Sequence, residues 1–293
     1  MDERRPIVLD TDIGNDIDDA VCLAYLLSQP RCELLGVTTV SADPVARAGL
    51  VSVLCRIAGR DVPILPGAAD PLVTPPVQGP PPQAVTLARW AHDAQFPQGE
   101  AIDFLRRTVR ARPGEVTLLS IGPLTNVALL FAVDPGIPGL LREWVLMGGS
   151  YTSGPREPEW NMHCDPYAAA AAFAAPVART TAIGLDVTTR VRMDAPAFLD
   201  RCDTPLLRPV ADLAGAWFAD RPTVTFHDPL AAATVFEPAL CAYETGEVTV
   251  NRGEGPLSGF TSWRPAADGP HRTAVDVDPR AALDHYWSTI DAV

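Results

Sequence analysis

Five aspartates (Asp10, Asp12, Asp16, Asp18 and Asp19) fall within eleven residues, directly behind the apolar run Pro6-Ile7-Val8-Leu9. Carboxylates crowded at the end of a buried strand repel one another unless a positive charge sits among them, so the segment predicts a bound cation. Oxygen ligands with no interleaved Cys or His suit a hard ion, Ca²⁺ or Mg²⁺, rather than Zn²⁺. Gly14 permits a tight turn, and Ala20, Val21, Leu23, Ala24 and Leu27 then recur at helical spacing. Asp18 and Asp19 are thereby expected in a first helical turn, where the helix dipole favours negative charge. A plain N-cap at Asp16 or Asp18 is the simpler alternative, but a cap needs one carboxylate and five are present.

Three further groups of residues follow apolar runs. The run Leu118-Leu119-Ser120-Ile121 breaks at Gly122-Pro123 before Leu124-Thr125-Asn126, which reads equally as a turn or as part of a site. In Glu159-Trp160-Asn161-Met162-His163-Cys164-Asp165-Pro166, Asp165 is read as an N-cap with proline at the first helical position. Glu159 and Asn161, two apart, are expected on one side of an extended segment, both able to reach a polyhydroxylated ligand. The third is Phe226-His227-Asp228-Pro229, which by itself reads as another Asp-Pro cap beside a loop histidine.

The elements that must position these residues are those of an α/β protein. Probable strands at residues 6–9, 33–40, 62–65, 116–121, 144–147 and 180–185 alternate with helical patterns. That order predicts a mainly parallel, Rossmann-like central sheet flanked by helices, with ligands outside the carboxyl ends of the strands. The 293 residues, 47% of them hydrophobic, read as one large domain. Residues 71–82, rich in proline, are expected to form a loop inside it, because the alternation resumes beyond.

A formal net charge of -13 argues against nucleic acid or an anionic membrane as partner and favours a neutral or cationic small molecule. All 23 basic residues are arginine, which excludes a Schiff-base lysine, a Walker-type phosphate loop and a lysine general base. Six scattered cysteines without a C-x-x-C pair read as reduced core residues. Neither a charged-then-apolar leader nor an apolar stretch of about 18 residues is visible, so a cytoplasmic location is expected.

Taken together, these motifs resemble the nucleoside hydrolases, calcium-dependent N-ribosyl hydrolases. Their D-x-D-x-G-x-D-D opening is present in expanded form, with two extra residues before Asp18-Asp19. The likeness continues through Gly36-Val37-Thr38-Thr39-Val40, Ile121-Gly122-Pro123-Leu124-Thr125-Asn126, Val145-Leu146-Met147-Gly148-Gly149, Glu159-Trp160-Asn161, Gly184-Leu185-Asp186-Val187-Thr188 and His227-Asp228-Pro229. It implies Ca²⁺ held by Asp12, Asp19, the Ile121 carbonyl and Asp228, with Asp12 also the general base and His227 the acid that assists the leaving base. Asp18, Asp43, Glu159, Trp160, Asn161 and Asp228 match substrate-binding positions. Asp43 stands where many relatives have Asn, and Asp18 is preferred to Asp16 because it directly precedes Asp19. The implied substrate is a small-molecule ribonucleoside, and the implied assembly a homodimer or homotetramer.

Two departures concern the base pocket. The only histidine between Leu72 and Gly99 is His92, outside the usual H-G-x-x-G setting, and residues 217–226 lack the tyrosines that often cover the base in relatives. Two alternatives differ in kind: a non-catalytic nucleoside or sugar sensor on the same scaffold, and a phosphatase of the haloacid-dehalogenase type suggested by Asp10-Thr11-Asp12. The latter usually needs a lysine, and this chain has none.

Overall fold

The structure is a computed structural model and describes residues 4–219 and 221–292. Its strands are β1 (Arg5–Thr11), β2 (Cys32–Thr39), β3 (Ile64–Pro66), β4 (Thr117–Ser120), β5 (Glu143–Met147), β6 (Thr180–Ile183), β7 (Arg192–Asp194), β8 (Thr223–Thr225), β9 (Cys241–Val250), β10 (Thr261–Pro265) and β11 (His271–Val277). Nine of them form one sheet in the order β10-β9-β11-β6-β5-β4-β1-β2-β3, and β7 pairs with β8 apart from it. From β3 through β6 to β11 neighbouring strands run parallel, and only β9 and β10 are antiparallel to their neighbours. The expected mainly parallel α/β sheet is therefore present. All six strands read from the sequence overlap observed ones; of the five later strands, β9, β10 and β11 extend the same sheet and β7 and β8 stand apart.

Alternation along the central strands sorts two cores onto the two faces of the sheet, as the two-residue period of a strand requires. Ile7 and Leu9 of β1, Leu119 of β4 and Val145 and Met147 of β5 meet the helices Asp18–Ser28, Pro44–Ile57 and His227–Phe236 on one side. Val8, Leu118, Trp144 and Leu146 face the opposite way, toward the helices Ala101–Ala111, Thr125–Val133 and Pro166–Phe173. A sheet covered on both faces explains why these strands read as continuous apolar runs. All six cysteines are free and buried, as expected of core residues.

The chain builds outward from β1 through β2 to β3, then returns to β1's other side to lay down β4, β5 and β6. The carboxyl ends of β1 and β4 thus flank a topological switch point, where a doubly wound sheet opens a crevice. The aspartate-rich loop leaves β1 there, and the Ile121-Gly122 turn leaves β4. Arg47, on the helix Pro44–Ile57 and fully buried, fastens this end. Its guanidinium donates to the carbonyls of Asp12 and Ile13, and its Nε donates to the Ser41 carbonyl at 2.9 Å. Ser41 and Ala42 occupy the left-handed region, with φ of 76° and 54°, so Arg47 holds a strained turn as well as the aspartate loop. Arg47→Met is expected to leave these carbonyls unpaired in the core and to cost about 3 kcal/mol or more. Chemical denaturation measures it, and a loss below about 1 kcal/mol would show that the guanidinium is not what secures the loop.

Candidate active site

Asp10 is the last residue of β1 that is paired with both β2 and β4. Thr38 and Asn126 both donate to its Oδ1, the latter at 2.7 Å, and burial lifts its pKa to about 7. Its partners lie behind the cavity, so Asp10 knits the ends of β1, β2 and the turn after β4. Asp12, just beyond the end of β1, lines the cavity. Burial raises its pKa against the opposing pull of Arg47 and of Gln78, whose side-chain amide donates to Asp12 Oδ2 at 2.7 Å. Gly122 is obligatory opposite: a Cβ there would lie 2.7 Å from Asp12 Oδ1.

Asp18 and Asp19 open the helix Asp18–Ser28, and Asp228 lies in the first turn of the helix His227–Phe236. Two helix N-termini thus converge from opposite ends of the sequence, and the three buried carboxylates offer oxygens all within 4.8 Å of one another. Burial raises the pKa of each, and mutual repulsion adds to it: Asp16 and Asp19 act on Asp18, Asp12 on Asp19, and Asp18 on Asp228. An all-oxygen, buried, self-repelling set of this kind could hold a metal ion. None of these aspartates is a helix cap. The N-cap of the first helix is Ile17 and that of the second is Phe226, neither with a side-chain hydrogen bond. His227 lines the same cavity, its Nδ1 2.7 Å from the Thr188 hydroxyl, and burial pushes its pKa down to about 4.

The segment around Glu159 departs from the extended conformation expected of it. Glu159 is the N-cap of a short helix, Trp160–Cys164: its carboxylate accepts from the backbone N–H groups of Asn161 at 2.8 Å and Met162 at 3.1 Å. A third donor, the Gly149 N–H, reaches it at 3.0 Å. Side-chain capping outcompetes the extended conformation here, yet Glu159 and Asn161 still line the cavity together. Asn161 Nδ2 donates to the carbonyls of Ile121 at 3.0 Å and Met147 at 3.2 Å, which leaves its Oδ1 for a ligand. Trp160, half-exposed, stands at the rim. Asp43 lies apart from the cavity lining, where its carboxylate caps the helix Pro44–Ile57 by accepting from the Ala46 N–H at 3.0 Å. Asp165 is the N-cap that the sequence indicated, accepting from the Ala168 N–H at 2.9 Å.

Several residues at the site escaped the sequence reading. Gln78 and Gln83, on the proline-rich loop and the turn beyond it, clamp the expanded part of the aspartate loop. Gln78 reaches Asn15 Oδ1 at 3.0 Å, while Gln83 donates to the carbonyls of Asn15 and Asp16, each at 3.1 Å. Asp186 organises the segment leading to Glu159, accepting from four successive backbone N–H groups, Tyr151 to Gly154, at 2.6 to 2.9 Å. Burial opposes its charge, but these donors outweigh burial and hold the carboxyl below its ordinary value. Trp217 and Arg221 occupy the rim where tyrosines were sought, and His92 instead bonds the Trp90 carbonyl nearby in sequence. The cavity encloses about 620 Å³, within the range of small-molecule sites.

Solved structures share this architecture. A plant nucleoside hydrolase, PpNRh1, superposes with a TM-score of 0.83 over 99% of both chains at 23% identity. The purine-preferring ribonucleoside hydrolase of Gardnerella vaginalis gives 0.84 over 98% of both at 22%. In sequence, uridine nucleosidase 1 of Arabidopsis thaliana is 30% identical over 276 residues, covering 85% of this chain and 79% of that protein. The pyrimidine-specific ribonucleoside hydrolase RihB of Escherichia coli strain SE11 is 30% identical over 235 residues, 74% of this chain and 69% of its own. The family model of the inosine-uridine preferring nucleoside hydrolases matches residues 7–284, from the first strand into the final helix, and the chain belongs to that family.

Proposed function

We propose that this ribonucleoside hydrolase cleaves the N-glycosidic bond by attack of a water whose proton passes to Asp12, with Ca²⁺ held among the neighbouring carboxylates. The observation that carries this reading is the convergence of Asp18, Asp19 and Asp228 on one point of a cavity that Asp12 also lines. Asp12, Asp19 and Asp228 are the side-chain ligands proposed, with the Ile121 carbonyl completing an all-oxygen set that suits a hard ion. When bound, the ion supplies Lewis acidity toward water and gathers ribose hydroxyl oxygens.

The chain's own residues account for the rest. Gln78 fixes Asp12 Oδ2, and Gly122 lets the backbone come close without displacing Oδ1, so the base is oriented before substrate arrives. Asp18 and Asp228 would accept from the ribose diol, while Asn161 Oδ1 and Glu159 would meet the remaining hydroxyls. As the glycosidic bond stretches, the sugar becomes oxocarbenium-like, and this surrounding negative charge stabilises it more than the neutral substrate. His227, held by Thr188 and neutral in its buried setting, would offer a ring N–H to the substrate.

A panel of purine and pyrimidine ribonucleosides, read by release of reducing sugar, tests the reading directly. Against the best of them, its 2′-deoxy analogue is expected to lose about 10⁴ in kcat/KM, because buried acceptors built for a diol are left unpaired. Equal values would mean that the carboxylates do not read the diol. Asp12→Asn should abolish nearly all turnover while weakened ribose binding persists, and retention of most of kcat would exclude Asp12 as the base. Chelation should lower Tm by about 5 °C or more, with excess Ca²⁺ reversing it. In the ion-free protein these raised carboxylates contribute stability that is fully present below about pH 4 and is lost as pH climbs through their folded-state values. The gap between chelated and Ca²⁺-loaded samples should therefore widen from about pH 5 to pH 8. A gap that narrowed would separate the ion from these carboxylates.

A further inference from the structure

The charges lining the cavity are distributed unevenly. Asp12, Asp18, Asp19 and Asp228 gather at its floor, Asp16, Glu157 and Glu159 add further carboxylates to its lining, and the one arginine among the described lining residues is Arg221, beside Trp217 and close enough to Asp16 to favour that carboxylate's charge. The guanidinium carbon of Arg221 lies 3.8 Å from the centre of the Trp217 ring, a stacked cation–π contact. Arg221 is exposed, and stacking uses the face of its guanidinium and leaves the in-plane N–H groups able to donate; among the described residues none of them is engaged in a hydrogen bond or ion pair. Trp217 carries a second such donor: its indole nitrogen is buried with no hydrogen-bond partner among the described residues. A buried N–H without a partner is costly, and because Trp217 is one of the residues that line the cavity, an acceptor on a ligand can supply the partner it lacks.

Breaking a glycosidic bond separates charge along the axis between these two groups. The sugar side gains positive charge against the carboxylates, and the departing base gains an electron pair. We propose that Arg221, seated on Trp217, is a catalytic residue of this enzyme that stabilises the departing base as an anion. In this step the C1′–N bond breaks with its electron pair on the base nitrogen and delocalises onto a conjugated ring carbonyl oxygen. The water oxygen bonds C1′, the water proton goes to Asp12, and the base is protonated by solvent after it leaves. The guanidinium and the indole N–H donate to the base heteroatoms where the negative charge develops, an interaction stronger in the transition state than in the ground state. This inference rests on the hydrolase reading above and adds to it the means by which the leaving group departs.

The test compares two leaving groups in the full-length, Ca²⁺-loaded protein. Uridine or inosine, whichever turns over faster, has a poor leaving group, whereas p-nitrophenyl β-D-ribofuranoside releases a phenolate that needs little help. Arg221→Ala is expected to lower kcat on the nucleoside by about 10² to 10³, the usual effect of losing one donor to a developing charge, and on the nitrophenyl riboside by about 5-fold or less. Added guanidinium ion at millimolar concentration should restore part of the nucleoside rate. Trp217→Phe, which keeps the stacking surface and removes the N–H, should show the same bias at a smaller size, about 10-fold on the nucleoside. Equal losses on both substrates, or no loss on the nucleoside, would overturn the proposal while leaving the hydrolase reading intact. If the unsubstituted protein hydrolyses neither substrate, the hydrolase reading fails and this role of Arg221 fails with it.

Discussion

The rest of the structure is organised around mutual repulsion among buried carboxylates. Asp12, Asp18, Asp19 and Asp228 are each about nineteen-twentieths or more removed from solvent, and burial raises the pKa of each. Burying like charges together is among the least favourable arrangements a fold can adopt, and it persists only where other interactions over-determine it. Arg47 is the fully buried counter-charge, and the acids pull back: burial lowers its pKa while Asp12, Asp19 and Asp43 raise it. Its hydrogen bonds, however, go to main-chain carbonyls, so its effect on the acids is electrostatic and its hold on the loop is geometric. That division leaves the carboxylates without a direct ion pair, which would neutralise the group proposed as base.

The same logic explains how the site tolerates an aspartate loop longer than the pattern it resembles. Extra residues add backbone groups that must be paired once buried. Gln83 takes two of the added carbonyls, Gln78 takes the Asn15 side chain, and Ile17 is fully buried in the core. Both glutamines flank Pro80, Pro81 and Pro82, whose restricted backbone reduces the freedom lost when the clamp is ordered. The proline-rich loop therefore reads as the structural complement of the insertion, with its rigidity transferred to Asp12 through the Gln78 amide.

How much of this was legible in the chain depends on the range over which each residue acts. The aspartate motif and the six strands declare themselves locally, through crowded charge and apolar runs, because the parallel strands are covered on both faces. The strand β9 buries only some of its residues, so its pattern of Glu, Thr and Tyr gave no comparable signal. Glu159 is itself extended, but Asn161 is drawn into a helix because Glu159 caps it; Glu is an uncommon cap, and its role depends on Gly149, ten residues earlier, as well as on Asn161 and Met162. Gln78 acts on a residue 66 positions away, and no periodicity connects them. Asp186 did carry a usable sign, an acid after the predicted strand at residues 180–185, but its four partners belong to a loop without pattern.

The base end shows the limit most clearly. A search for tyrosines finds nothing between residues 217 and 226, yet the physical requirement there is not a tyrosine. It is a flat apolar surface with donors at its edge, and an indole ring stacked with a guanidinium meets that requirement with different atoms. Such a pair can be found from sequence only by asking which residues supply both properties close together, and Trp217, the last residue of the helix Leu207–Trp217, and Arg221, four positions on, do so. The two ends of the cavity then become complementary halves of one electrostatic design. In the mechanism proposed, the floor favours the cation that the sugar becomes and the rim favours the anion that the base becomes, so a change at one end should be felt only as strongly as charge has developed at the other.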